Sequence, residues 1–211
     1  HFATTGGIAD RRWSFYLGGT DIWDAAPDVT VDGKGNPIIV GVATSADFPV
    51  ANAYQDVLQG SSDGFITKLN ERNGTIAWSS FLGGNQGDRI NTVSLTRDGR
   101  IWAGGETNGS TNLPVTADAF QKGPHVTGDY PSLSDGFVAM LSSDPSQRMF
   151  CSYYGASPQN NLPPPPQPSN PLPPPSTDFG IDYVTGVCAR GNAYVSIASY
   201  AKTRNMPTLK A

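Results

Sequence analysis

The chain has 211 residues, a formal net charge of −4 and only 15% charged residues, with 24 glycines, 18 prolines and two cysteines. This acidic balance excludes a nucleic-acid groove, which needs clustered Lys and Arg, and no apolar run approaches the ~20 residues of a membrane span. Cys151 and Cys188 stand alone, without the paired spacing of a zinc or haem site.

Few residues favour long helices and turn formers are everywhere; Glu71 and Glu106 are the only glutamates. An all-β chain is therefore predicted. His1 rather than Met opens it and no signal peptide follows, so a processed or partial chain is expected.

In chain order, His1-Phe2-Ala3-Thr4-Thr5 matches Gly64-Phe65-Ile66-Thr67-Lys68, and the next predicted strand is Trp13 to Gly19, WSFYLGG, which returns as WSSFLGG at Trp78 to Gly84. A crossing stretch, Thr20 to Ala26, leads to VTVDGKGNPIIVGVATS, Val29 to Ser45, which reads as a strand, a tight Gly turn and a second strand. Matching segments are VSLTRDGRIWAGGETNG, Val93 to Gly109, and TGVCARGNAYVSIASYA, Thr185 to Ala201. Aligned without a gap, they put Gly35, Gly99 and Gly191 in one column. Asp47-Phe48-Pro49-Val50 with Ala53-Tyr54-Gln55 answers Asn112-Leu113-Pro114-Val115 with Ala119-Phe120-Gln121. The segment from Ser62 to Leu69 answers the one from Ser134 to Leu141, and Cys151-Ser152-Tyr153-Tyr154-Gly155 reads as a third WSxFLGG in which Cys151 replaces Trp.

Each unit thus carries four short strands, and four-stranded sheets repeated along a chain are the blades of a β-propeller. The phrases Y/W-S-x-F/Y-L-G-G, V-D-x-x-G-N, D-F-P-V, A-Y/F-Q and D-G-F-I/V-x-K-L resemble the bacterial seven-bladed β-propeller (SBBP) repeat. The resemblance covers almost all of the chain outside one insert. It implies a propeller in secreted or surface-attached bacterial proteins and no particular activity. By analogy with other propeller repeats, V-T-V-D is innermost and A-W-S-S-F-L outermost.

Two complete blades are predicted, residues 28–84 and 91–155, with an outer half-blade at 1–19, a Pro-rich insert at 156–181 and an inner half-blade at 182–211. A ring of three is smaller than the usual 4 to 8 blades. Further blades of a longer polypeptide, or another chain, are expected to complete it.

Candidate sites are sparse. His125 is a lone loop histidine, and no G-x-S-x-G or H-E-x-x-H occurs. Asp32, Asp63, Asp98 and Asp135 lack calcium-loop spacing and read as turn residues. Asn73-Gly74-Thr75 and Asn108-Gly109-Ser110 fit an N-glycosylation pattern but sit where hairpin turns are needed. Trp13 and Trp78 recur at one column and are assigned to packing; Trp23, outside the repeated phrases, is a candidate contact residue. The tract Ser157 to Asp178, with Pro163, Pro164, Pro165, Pro166, Pro173, Pro174 and Pro175, reads as polyproline II, either a docking element or a stiff surface loop. In the assigned phase Cys151 and Cys188 lie too far apart for a disulfide.

The sequence reading is a non-catalytic extracellular or cell-surface scaffold or binding module, with the periplasm as the other compartment. No cofactor or metal is implied; partners are other protein chains, further blades, or glycans. The rival is a glycan-active hydrolase or lyase with an Asp/Tyr site at the propeller axis.

Overall fold

A computed structural model describes residues 13–124, 134–144, 148–155, 182–191 and 194–201. Among them are ten strands and no helix. Four strands, β1 (Ala25–Val31), β2 (Pro37–Ala43), β3 (Asp63–Leu69) and β4 (Ile76–Leu82), form one antiparallel meander in that order. The second meander is β5 (Gly87–Leu95), β6 (Ile101–Asn108), β7 (Ser134–Leu141) and β8 (Arg148–Tyr154), and β9 (Asp182–Arg190) pairs with β10 (Tyr194–Ala201). The three sheets do not close on one another.

The alternation of side chains assigns each face. Asp28, Val40 and Ile66 are directly opposite across β1, β2 and β3, so they share the face turned toward the second sheet. Ile38, Val40, Ile66, Trp78 and Leu82 pack there against Val93, Ile101, Phe137 and Tyr153 of the second sheet in the main core. The second sheet repeats the arrangement: its far face, with Val138 and Tyr154, receives Val184 and Val187 of β9. Phe65 and Phe137, matched positions of β3 and β7, are both buried.

Each first strand carries a bulge in the same place, between Ala25 and Asp28 in β1 and between Ile90 and Thr92 in β5. Opposite each bulge is a glycine, Gly41 or Gly105. A Cβ there would come within 1.9 Å of the Ala25 or Arg89 carbonyl oxygen, so the backbone itself excludes any side chain.

Three expectations need correction. Trp13 to Gly19 is not a strand; the segment lies over the first sheet instead, with the Trp13 indole donating to the Glu71 carbonyl at 2.8 Å and Leu17 packed beside Phe48, Phe65 and Phe81. The gapless third copy is two residues out of register: Gly35 and Gly99 are the fourth residues of loops closed by Asp32 to Asn36 and Thr96 to Arg100, whereas Gly191 directly follows Arg190, which pairs with Tyr194. The glycines are similar in φ (86°, 87° and 64°), but the third sits in a different column. Finally, Lys68 faces Trp78 and Met140 faces Phe150, so Phe150 takes the Trp column and Cys151 answers Ser79. Both cysteines are free, Cys151 buried in β8 and Cys188 exposed on β9.

Candidate functional site

At the end of the sheets where β2 leaves and β3 begins, buried polar groups hold the loops. The Gln55 amide donates to Asp63 Oδ2 at 2.7 Å and accepts from the Gly83 N–H at 3.1 Å. The second sheet reproduces the latter bond, Gly155 N–H to Gln121 Oε1 at 3.0 Å. Asp63 and Asp135 therefore belong to strands rather than turns, although Asp63 does accept the Gln59 N–H of the preceding loop at 2.9 Å.

Two further aspartates, not recognised in the sequence, tie the Leu-Gly-Gly phrases down. Asp24 accepts the Gly19 N–H and Asp88 the Gly84 N–H, each at 2.7 Å, and each also accepts a serine hydroxyl at 2.8 Å, from Ser45 and Ser110. Burial pushes Asp63 up to about 6, and the Asp88 charge adds to the rise against the pull of the Gln59 N–H. Burial also raises Asp88, opposed by its Thr107, Gly84 and Ser110 donors. Their partners are the chain's own loops, so this cluster shapes the loop end.

A different set of residues departs from the repeat. Arg89 and Glu106 are cross-strand partners in β5 and β6, where the first sheet has Ala25 and Val42 as partners. With Asn91, Tyr183 and Thr185 they line a cleft of about 400 Å³ between β9 and the second sheet. Arg89 Nη1 stands 3.5 Å from Glu106 Oε1, and its Nε donates to Asn91 Oδ1 at 3.0 Å. Asn91, the bulge residue of β5, is anchored in turn by donating to the Val184 carbonyl at 3.2 Å. The Glu106 side chain is only 18% exposed, and this burial raises its carboxyl above the usual range against the opposing Arg89 charge.

No known family model matches this chain, and no curated protein does.

Of the residues singled out in the sequence, Trp23 lies in the segment before β1 and is 71% exposed beside exposed Ile22. It is remote in role from the cleft. His125 and the seven prolines fall outside the described residues. Asn73 Oδ1 accepts the Thr75 N–H and hydroxyl, and Gly74 and Gly109 have φ of 71° and 78°, as tight turns need. Among the described residues no group of three or more His, Cys, Asp or Glu side chains is placed to hold a metal ion.

Proposed function

We propose that the chain is part of a β-propeller that serves as a non-catalytic extracellular or cell-surface scaffold or binding module, its first sheet covered by a further sheet of the same repeat. The observation that carries this reading is a first strand whose apolar side chains are covered in two sheets and left exposed in one. Val93 and Leu95 of β5 pack on the first sheet, and Val187 of β9 packs on the second. The equivalent residues of β1, Val29 and Val31, are 57% and 56% exposed. An apolar sheet face of this kind calls for a covering layer.

Leu17 supports the reading, because it packs on this same face of the first sheet as Leu82, its counterpart in WSSFLGG, packs on the second sheet. The covering sheet comes from further residues of the same polypeptide or from another protein chain. Light scattering and thermal melting of the purified chain test this. Association or a broad, low-temperature melt is expected; a monodisperse monomer with a sharp cooperative transition contradicts it.

A further inference from the structure

We propose that the cleft between β9 and the second sheet binds a neutral sugar through two adjacent hydroxyls held by Glu106 and Arg89. This deepens the binding-module reading by naming its ligand class. Among the described residues the cleft is lined by the second sheet and β9 and not by β1, so its ligand does not depend on what covers Val29 and Val31.

Where the fold requires only packing, the first sheet has Ala25 and Val42; the second has an arginine and a glutamate at the same paired positions. Placing a mostly buried carboxylate there costs stability unless something compensates it. Among the described residues, Arg89 is the compensating charge, at 3.5 Å, longer than a charge-assisted hydrogen bond. The carboxylate therefore retains capacity to accept hydrogen bonds, and it faces a cavity of ligand size.

The charges select the ligand. A bare cation is repelled by Arg89 and an anion by Glu106, which favours a neutral molecule presenting donors and acceptors together. A hydroxyl does both with one atom, donating to the carboxylate while accepting from the guanidinium, and a vicinal diol offers two such groups side by side. Asn91 fixes the Arg89 head from behind, so part of the ordering cost is met before the ligand arrives. Among the described residues lining the cleft, Glu106 is the single carboxylate, whereas glycoside hydrolysis ordinarily uses two. The cleft is therefore assigned to binding rather than to bond cleavage.

The test is saturation-transfer NMR followed by calorimetry on the 211-residue chain. The probes are D-glucose, D-galactose, D-mannose, L-fucose and N-acetyl-D-glucosamine at about 20 mM, enough to detect millimolar affinity. At least one sugar is expected to bind. Its affinity should fall about tenfold or more in Arg89→Ala and in Glu106→Gln; melting behaviour is retained in Glu106→Gln, whereas Arg89→Ala also lowers the melting temperature because Glu106 loses its compensating charge. If Glu106→Gln misfolds, the monodeoxy form of the bound sugar, lacking one of the two hydroxyls, should lose affinity to the same degree on the unaltered chain. Absence of binding by all five sugars, or binding indifferent to Arg89→Ala and to deoxygenation, overturns the proposal. Neither result bears on the covering of the first sheet, which light scattering tests separately.

Discussion

The N–H of Val93 donates to Asp28 Oδ2 at 2.8 Å across the junction between the first and second sheets. The N–H of Val187 meets Thr92 Oγ1 at 3.4 Å across the next junction. Asp28 and Thr92 hold the same place after the bulge, so one polar column reaches forward at both junctions. In the first strand the matching N–H, that of Val29, is satisfied by its own Asp28 Oδ1 at 2.8 Å, consistent with a bare face.

Asp28→Ala removes the acceptor of an N–H in a residue only 7% exposed. A loss of about 1–3 kcal/mol is expected, the cost of an unsatisfied buried donor. Urea denaturation measures it. A change below a few tenths of a kcal/mol would show that water replaces the carboxylate.

Phe65→Ala and Phe137→Ala empty matched, fully packed positions. Each should cost about 3–5 kcal/mol. Comparable losses in chemical denaturation would agree with equivalent packing in the two sheets; a small loss at one would separate their roles.

Gly41→Ala and Gly105→Ala force a Cβ against a carbonyl oxygen at the bulge. Overpacking of about 1–3 kcal/mol or more is expected in each, with loss of soluble expression as the practical reading. Gly33→Ala, at a position with open space around it, is the control and should be nearly silent.

Acid should stabilise the chain before it destabilises it. Because the folded-state value of Asp63 is raised from 3.8 to about 6, the native state holds more protons than the unfolded one across that interval. Stability therefore rises as pH falls from about 6 to about 4, by up to about 3 kcal/mol from this group. Asp32 acts in the opposite sense: although burial opposes it, its bonds to Lys68, Asn36 and Lys34 hold it well below the usual carboxylate range, and its contribution is lost below about pH 4. Melting temperature against pH should show a maximum between these windows, and Asp63→Asn should flatten the upper limb.

Much of the strand pattern is legible in the sequence, since Val29 to Val31 and Pro37 to Ala43 alternate around a Gly-containing turn, and the same signal recurs at Val93. The register of the third hairpin is not, because Gly191 invites alignment with Gly35 and Gly99 while the structure aligns the bulges. Asp24 and Asp88 escape notice because they follow their glycine pairs at different distances, Gly19 and Gly84, and only the shared bond reveals the column. Arg89 and Glu106 are unremarkable apart in sequence; they become neighbours when the hairpin closes, and their departure from Ala25 and Val42 is visible only with both registers in hand.

The β1 face of the first sheet is proposed above to be an interface. Electron cryomicroscopy of the native protein from its source tests it most directly. A ring of four-stranded sheets is expected, in which another sheet covers Val29 and Val31 and offers an Asp, Thr or Ser side chain to the Val29 N–H. A native particle in which that face meets only solvent would contradict it.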